Sequence, residues 1–194
     1  MMLMLSAVAG GILLGRFFTL PVPDYFVTVL LMALVFFVGL EIGSEEGIFK
    51  KIKKELALIL IQSALVISGT LIFGWFSCYL IRSSGFSGKE TMGAAAGMGW
   101  YSLSGVMISE MHSPLLGTVS FAANLIRETL AILFIPILSR FSPLASVSIG
   151  GAASMDVLLG LISKHNRLSV TLIAFGQGVI CSLMVPVILS IVFG

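Results

Sequence analysis

The stretch GGAASMDVLLGLIS, residues 150–163, decides how this chain folds, because it places Asp156 inside sequence that otherwise suits lipid. A second acid, Glu128, lies within the apolar stretch NLIRETLAILFIPIL, residues 124–138. A carboxylate at membrane depth is costly unless it faces a cavity or a partner, and such residues are functional candidates by default. The two acids therefore predict a path for a proton or a cationic solute.

The composition excludes a soluble domain. Of 194 residues, 58% are hydrophobic and only 10% are charged, whereas a soluble domain has about 25% charged residues. The run 56–81 carries no charged residue and is long enough to cross a bilayer with tilt, which also excludes a peripheral protein. We expect an integral protein of the plasma or inner membrane that contacts the lipid bilayer.

Other classes of function find no support in the motifs. The basic residues flank apolar segments, so the net charge of +2 predicts no nucleic-acid partner. Cys78 and Cys181 lie within apolar segments, and no Cys/His spacing suits a metal. No catalytic elbow, phosphate loop or dinucleotide motif occurs. We therefore expect no enzymatic activity, no metal and no cofactor.

The apolar pattern predicts an all-α, polytopic fold with about seven transmembrane segments. The predicted segments are 2–20, 24–42, 56–81, 91–109, 114–139, 146–163 and 168–193. Short connections leave no room for a soluble domain, so residues 1–194 form one transmembrane transporter domain. Residues 1–55 are predicted to form an N-terminal helical hairpin and a basic loop, and residues 56–194 the core.

Basic residues set the expected orientation. The loop is placed in the cytoplasm by the positive-inside rule, and its basic residues are Lys50, Lys51, Lys53 and Lys54. Counting seven crossings, Lys164 and Arg167 fall on the same side. Arg82, Lys89 and Arg140 fall on the other side, so the bias is not complete.

The core contains a candidate internal repeat, residues 92–141 and 149–193. In each copy a Gly-rich stretch precedes a long apolar helix, which ends in PILS at residue 139 or PVILS at residue 190. Transporters are commonly built from weak repeats of this kind, although chance similarity is a rival at this composition. The Gly-rich stretches could cross the membrane, or they could dip in and return, in which case the copies would be inverted.

Both Gly-rich stretches predict broken helices. Gly93, Gly97 and Gly99 precede one polar run, while Gly150 and Gly151 precede Asp156. Glycine in a lipid helix permits close packing, and broken helices in transporters expose backbone groups to the solute. Simple helix packing is the alternative, but it does not explain Asp156.

Helical spacing predicts small and polar neighbours for both acids. In a regular helix, Asp156 would share a face with Ala152, Gly160 and Ser163. Glu128 would share a face with Ser120, Asn124 and Ala131. Candidate contacts to a solute or proton also include Trp100, Tyr101, Ser102, Ser154 and Gln177. Arg127 is the alternative partner of either acid, as an internal ion pair.

Acids away from water could bind and release protons near neutral pH, because burial disfavours the charged carboxylate. A cationic solute would compete with the proton for the same group. Competition of this kind is the simplest form of proton-coupled antiport. The acids therefore favour exchange of a cation for protons.

Four motifs in order give the chain a family resemblance. They are GMGWYSLSGVMI at 97–108, ANLIRE at 123–128, GGAASMD at 150–156 and FGQGVICSLMVPVIL at 175–189. Across residues 92–192 the chain resembles the lysine exporter family known as LysO or YbjE, and FFVGLEIG at 36–43 fits more loosely. Full-length members of this family carry further N-terminal helices, and some organisms split the protein into two polypeptides.

The resemblance implies export of L-lysine and its analogues from the cytoplasm in exchange for protons. It also implies that the acids at Glu128 and Asp156 matter for transport. From their residue types and place alone, we expect Trp100 and Tyr101 to cover the aliphatic stem of lysine. This chain looks like the C-terminal part, so a small N-terminal partner subunit or a homodimer would complete it. The alternatives are transport of another small cationic solute, or a non-transporting scaffold or pore subunit.

Overall fold

The described part of the protein is helical. The structure is a computed structural model, and it describes residues 47–81 and 85–194, with a few isolated positions before residue 47. The predicted segments 2–20 and 24–42 lie outside the described ranges.

Seven α-helices and one short 3₁₀ helix follow one another from residue 48 onward. The α-helices are α1 (Ile48–Leu80), α2 (Gly88–Ala95), α3 (Tyr101–Met111), α4 (Pro114–Phe141), α5 (Pro143–Ser148), α6 (Leu159–His165) and α7 (Leu168–Phe193). The 3₁₀ helix, Gly151–Met155, lies between α5 and α6.

Three of these helices are long and apolar enough to cross a membrane. They comprise Ile52–Leu80 of α1 and the whole of α4 and α7. They coincide with the predicted segments 56–81, 114–139 and 168–193. The predicted segments 91–109 and 146–163 are interrupted helices instead, so the described part does not bear out the count of seven.

The basic residues at the start of the core are helical and do not form the expected loop. Lys50, Lys53 and Lys54 lie exposed in the first two turns of α1. Lysine is a good helix former, and the 33 residues of α1 span about 50 Å. Because the hydrocarbon core is only about 30 Å thick, α1 can extend its basic start beyond the lipid.

Residues 88–112, here called hairpin 1, double back on themselves. A capping box starts α2, in which Ser87 and Glu90 cap each other's backbone amides. The carboxylate of Glu90 also lies 2.9 Å from Nε2 of His112, which directly follows α3. The two ends of the segment therefore meet, and its arms are only about 12 and 16 Å long.

Residues 143–166, here called hairpin 2, double back in the same way. Ser142 caps α5, and Pro143 occupies its first position, where a missing amide hydrogen costs nothing. At the other end, Nδ2 of Asn166 donates to the hydroxyl of Ser146 (3.3 Å) and to that of Ser139 in α4 (3.0 Å). The base of hairpin 2 is thus closed by neutral hydrogen bonds.

The tips of the two hairpins meet. The amide of Ala152 donates to the carbonyl oxygen of Met98 over 2.8 Å. Gly151 has φ +57°, and a Cβ there would collide with that oxygen. Gly99 has φ +101° and lies against the carbonyl oxygen of Gly150. Only glycine adopts such backbones without strain, so both tips depend on these residues.

The hairpins lie at opposite ends of the helix bundle. The ring of Phe193, at the end of α7, lies 4.9 Å from the ring of His112, so α7 ends beside the base of hairpin 1. Gln62 of α1 instead donates to the carbonyl of Leu144 at hairpin 2. Arg140, near the end of α4, therefore lies at the same end of the helix bundle as Lys50. A topology with seven crossings would have placed the two residues at opposite ends.

The core lies along α7. About 56% of its most apolar stretch is buried, against 22% in α1 and in α4. Two apolar clusters lie on either side of the hairpin tips, one including Ile135 and Leu158, the other including Ile108 and Leu189. The central position of α7 leaves α1 and α4 with broad apolar faces, as lipid-facing helices have.

Candidate functional site

A cavity of about 230 Å³ lies beside the two hairpin tips. This volume is below the roughly 300 Å³ at which pockets for drug-sized ligands begin, so it suits a small solute. Its lining residues are Gly99, Trp100, Tyr101, Ser102, Glu128, Ala152, Ala153, Met155, Asp156, Val157 and Ser182.

The cavity brings together the two acids that the sequence singles out. Glu128 from α4 and Asp156 from hairpin 2 both line it, and each side chain is partly buried. No Lys, Arg or His is among the described lining residues. In the part of the chain that the structure describes, the site therefore combines two acidic groups with no basic residue in its lining.

Asp156 lies in a turn and not on a regular helix. Its φ and ψ are −131° and −92°, directly after the 3₁₀ helix, and its Oδ1 accepts the amide hydrogen of Val157 over 2.6 Å. The expected helix face with Ala152, Gly160 and Ser163 is therefore wrong, because the chain changes direction within it. The break aims the carboxylate into the cavity.

The break in hairpin 1 supplies the aromatic wall. Trp100 and Tyr101 line the cavity together with the exposed Ser102, and the Tyr101 ring packs edge-on against Phe121, with centroids 5.2 Å apart. Trp100 is the N-cap of α3 but provides no side-chain cap. The first amides of α3, which lack partners in any helix, thus lie beside the cavity.

Asn124 lies one turn before Glu128 but serves the backbone. Its Oδ1 accepts the amide hydrogen of Gly99 (2.8 Å), and its Nδ2 donates to the carbonyl of Ala94 (3.0 Å). It does not line the cavity, where it was expected to bind solute. Its amide instead satisfies both sides of the break in hairpin 1, where helical hydrogen bonds are missing.

Ser154 and Gln177 serve hairpin 2 in a similar way. The Ser154 hydroxyl donates to the carbonyls of Gly151 (2.7 Å) and Ala174 (2.8 Å). Nε2 of Gln177 donates to the carbonyl of Val147 (3.1 Å). Neither side chain lines the cavity, because the broken backbone engages both. Oε1 of Gln177 is buried and has no partner among the described residues.

Arg127 does not neutralise either acid. Its Nε donates to the carbonyl of Ile149 (3.1 Å), and its Nη2 to that of Ser148 (3.3 Å). Within the described ranges it forms no ion pair with Glu128 or Asp156. The alternative of an internal ion pair is therefore not realised, because Arg127 instead donates hydrogen bonds to carbonyls at the end of α5.

The remaining glycines of the two stretches allow close packing. Gly93 lies against the Phe193 ring, Gly97 against the side chains of Ser104 and Asn124, and Gly150 against Ser154. A Cβ at any of the three would come within about 3 Å of these neighbours. Of the five glycines singled out by the sequence, only Gly99 lines the cavity itself.

Several features of the site region escape sequence reasoning. Ser182 and Met155 line the cavity, but neither stands out in its apolar surroundings. The sequence likewise did not predict the contact between Glu90 and His112. The Ser-x-x-Glu spacing that ends at Glu90 is a capping-box signature, and it could have placed the start of α2. No cluster of His, Cys, Asp or Glu suited to a metal occurs among the described residues.

Comparison with known proteins now places the chain. The family model for the lysine exporter LysO matches residues 5–193. Lysine exporter LysO of Escherichia coli K12 is 31% identical over 160 residues, which cover 82% of this chain and 52% of that protein. A putative lysine exporter of Haemophilus influenzae is 30% identical over 190 residues, or 96% of this chain and 94% of that one.

The chain thus spans about half the length of its E. coli relative and nearly all of the H. influenzae one. No solved structure matches it significantly. The matched region includes both hairpins and all of the lining residues, and the resemblance drawn from the four motifs is confirmed. This membrane-embedded chain belongs to the lysine exporter LysO family.

Proposed function

We propose that this chain exports L-lysine from the cell in exchange for protons. The observation that carries the proposal is the cavity in which Glu128 and Asp156 lie together without a described basic residue. Membership of the LysO family favours lysine over other cationic solutes. Lysine carries two ammonium groups, and the two carboxylates are a matching number of counter-charges.

The cavity lining offers a role for each part of the solute. Glu128 and Asp156 would bind the ammonium groups. Trp100 and Tyr101 would cover the aliphatic stem and could make cation–π contacts with the side-chain ammonium. The uncapped amides at the start of α3 would bind the α-carboxylate, since helix N-termini attract anions. Asn124, Ser154 and Gln177 would support this arrangement through the backbone.

Proton coupling follows from competition at the same acids. A carboxylate without lysine is desolvated beside a second carboxylate, and both effects favour proton uptake. Arrival of an ammonium group reverses that preference and releases the proton. Binding of lysine and of protons is then mutually exclusive, which is the requirement for exchange. In this scheme Glu128 and Asp156 bind both the solute and the exchanged protons.

We propose that both hairpins are re-entrant and enter the bilayer from opposite faces. The helical arms are about 12 and 16 Å long in hairpin 1 and about 9 and 10 Å long in hairpin 2. They reach between about a third and a half of the way through a 30 Å core. The end of the bundle that holds most of the basic residues would face the cytoplasm by the positive-inside rule. This end contains Lys50, Lys53, Lys54, Arg140, Lys164 and Arg167. Hairpin 2 would then close the cytoplasmic side and hairpin 1 the outer side.

The re-entrant arrangement makes the two copies of the repeat inverted. Hairpin 1 with α4 and hairpin 2 with α7 would be related by an axis in the membrane plane, as in many secondary transporters. Alternate movement of the two hairpins would expose the cavity to one side at a time. The chain would act in the plasma or inner membrane, completed by a small N-terminal partner subunit or by a second copy.

Lysine counterflow in proteoliposomes tests the proposal. Purified chain is reconstituted with internal lysine, and uptake of labelled lysine is followed at two pH values and with an imposed pH gradient. We expect saturable uptake driven by the gradient, and none with the double variant E128Q/D156N. E110Q is the matched control, because Glu110 is exposed and does not line the cavity.

Three results would contradict this function. Flux of the double variant equal to that of the wild type would remove the acids from the mechanism. Preference for another solute in a panel of labelled amino acids and small cations would change the substrate. Absence of saturable flux, both from the chain alone and from the complex purified from its native membrane, would favour a scaffold or pore subunit.

A further inference from the structure

Arg127 places a positive charge inside the bundle with no acidic partner among the described residues. Three of its nitrogens donate hydrogen bonds, two of them to the carbonyls of Ser148 and Ile149. The third, Nη1, lies 3.4 Å from the hydroxyl of Thr70 in α1. A partly buried charge needs such compensation, and here carbonyl and hydroxyl oxygens provide it.

The carbonyls that bind Arg127 are those left over at a helix end. Ser148 is the last residue of α5, and Ile149 is its C-cap. Carbonyls at a helix C-terminus have no helical partner and carry the negative end of the helix dipole. A guanidinium satisfies both requirements, so Arg127 ends α5 and fixes the point where hairpin 2 breaks.

Arg127 and Glu128 face different sides of α4. Glu128 lines the cavity and Arg127 does not. The guanidinium instead lies behind the tip of hairpin 2, where a Cβ on Gly151 would come within 2.8 Å of Nη2. Five residues further along, Asp156 enters the cavity. Arg127 thus contacts the segment that carries one acid while its neighbour in sequence supplies the other.

We infer that Arg127 is a positioning residue that holds the tip of hairpin 2 against α4 and so keeps Asp156 opposite Glu128. The inference rests on the proposed lysine transport. In this role the guanidinium of Arg127 binds carbonyl oxygens and neither carboxylate. Glu128 and Asp156 therefore stay free to bind solute or proton. The role differs from an internal ion pair and from a ligand for the lysine carboxylate.

A lysine side chain at position 127 cannot make the same contacts as Arg127. The guanidinium binds acceptors in hairpin 2 and in α1 at the same time through separate nitrogens, and its planar fork fixes their geometry. An ammonium group is a compact point charge with no fork. R127K therefore keeps the charge but loses the link between α4, α1 and hairpin 2.

Two measurements on the same variants test the inference. Spin labels at Thr129→Cys in α4 and Val157→Cys in hairpin 2, with Cys78 and Cys181 replaced by Ser, report the position of the tip by electron paramagnetic resonance. Lysine counterflow of the unlabelled variants reports the half-saturating concentration. The variants are R127K and R127Q, with R140Q as the control because Arg140 is exposed on the same helix.

We expect R127K and R127Q to broaden the distance distribution between the labels and to raise the half-saturating lysine concentration roughly tenfold or more, because displacement by about 1 Å can cost that much. R140Q should change neither. A purely structural role would lower the yield or the melting temperature at unchanged half-saturation. If R127Q fails to insert, R127K decides, because it retains the charge.

Other outcomes overturn the inference. A raised half-saturating concentration with an unchanged distance distribution would make Arg127 a ligand. A broadened distribution with unchanged half-saturation would separate the tip position from transport. Lack of lysine flux by the wild type, together with a distribution that broadens in R127K, would instead sink the proposed function and leave the link between Arg127 and hairpin 2 in place.

Discussion

Hairpin 1 and hairpin 2 share a shape but differ in chemistry. Hairpin 1 brings Trp100 and Tyr101 to the cavity and no charge, while hairpin 2 brings Asp156. At the bases of the hairpins this difference is reversed, because the titratable side chains that close a base belong to hairpin 1. A 2.9 Å contact between the titratable side chains of Glu90 and His112 closes hairpin 1, whereas neutral hydrogen bonds from Asn166 close hairpin 2.

The supports of the two tips differ as well. Two side chains of α4, Asn124 and Ser120, form hydrogen bonds with the backbone at the break in hairpin 1. The break in hairpin 2 needs Arg127 from α4 and Gln177 from α7, because more of its backbone leaves the α-helix. The difference lies in the kind of support: two side chains of one helix hold the tip of hairpin 1, whereas a guanidinium from α4 and an amide from α7 hold the tip of hairpin 2.

Removing the charge from the tip of hairpin 2 should have the largest effect on transport. D156N keeps the size of the side chain but cannot exchange a proton, so we expect lysine counterflow to fall to background. S102A removes a neutral hydroxyl from the cavity lining, so it should retain most of the flux. Near-wild-type counterflow by D156N, in protein that is folded in the membrane, would make the acid structural.

The next largest effect is expected at the tip contact itself. In G151A a left-handed backbone costs about 1–2 kcal/mol, and the added methyl group collides with the carbonyl of Met98. We expect loss of thermal stability in detergent and loss of flux. G69A in α1 is the control, because a Cβ there meets nothing within 4 Å. Equal melting temperatures of G151A and the wild type would refute the tip geometry.

Removal of a side chain that supports a hairpin tip should destabilise the protein more when that side chain has more hydrogen-bond partners. N124A leaves the Gly99 amide without its partner, whereas the Ala94 carbonyl keeps the hydroxyl of Ser120, and a buried group left alone costs about 1–3 kcal/mol. Q177A should cost less, because Oε1 of Gln177 has no described partner to lose. Unfolding free energies in detergent check the order, and a larger loss in Q177A would reverse the comparison.

The smallest effect concerns the bases of the hairpins and depends on pH. Hydrogen bonds from His112, and from the amide and hydroxyl of Ser87, lower the pKa of Glu90 from 4.5 to about 2. Because the folded-state pKa is lowered, this stabilisation is complete above pH 4.5 and is lost as the pH falls toward 2.

Thermal unfolding in detergent over this pH range measures the effect. E90Q should flatten the dependence of the melting temperature on pH between 4.5 and 2 relative to the wild type. N166A at the neutral base of hairpin 2 should lower the melting temperature by the same amount at every pH in that range. A steeper dependence in E90Q than in the wild type would contradict the assignment.

The sequence predicted the long helices and the key acids better than it predicted the hairpins. Apolar length alone located α4 and α7, because one long helix satisfies its own backbone in lipid. Glu128 and Asp156 stood out because charges are rare at that depth. The sides toward which Asn124 and Gln177 point depend on breaks in other segments, and helical periodicity carries no information about those breaks.

The fold-back of each hairpin was left open for a related reason. Apolar residues 91–109 and 146–163 have the length of a span, and only long-range contacts decide whether the chain continues or returns. The contact that decides it for hairpin 1, between Glu90 and His112, joins two residues that look like ordinary surface charges. Local composition could not distinguish the two courses.

The contact between Met98 and Ala152 joins two main chains. No side chain takes part in it, so any residue at either position offers the same donor and acceptor, apart from proline in place of Ala152. Substitution at either site can therefore leave the hydrogen bond between the two hairpins chemically unchanged. The limit on such changes is space and backbone, because Met98 is fully buried and has φ +48°.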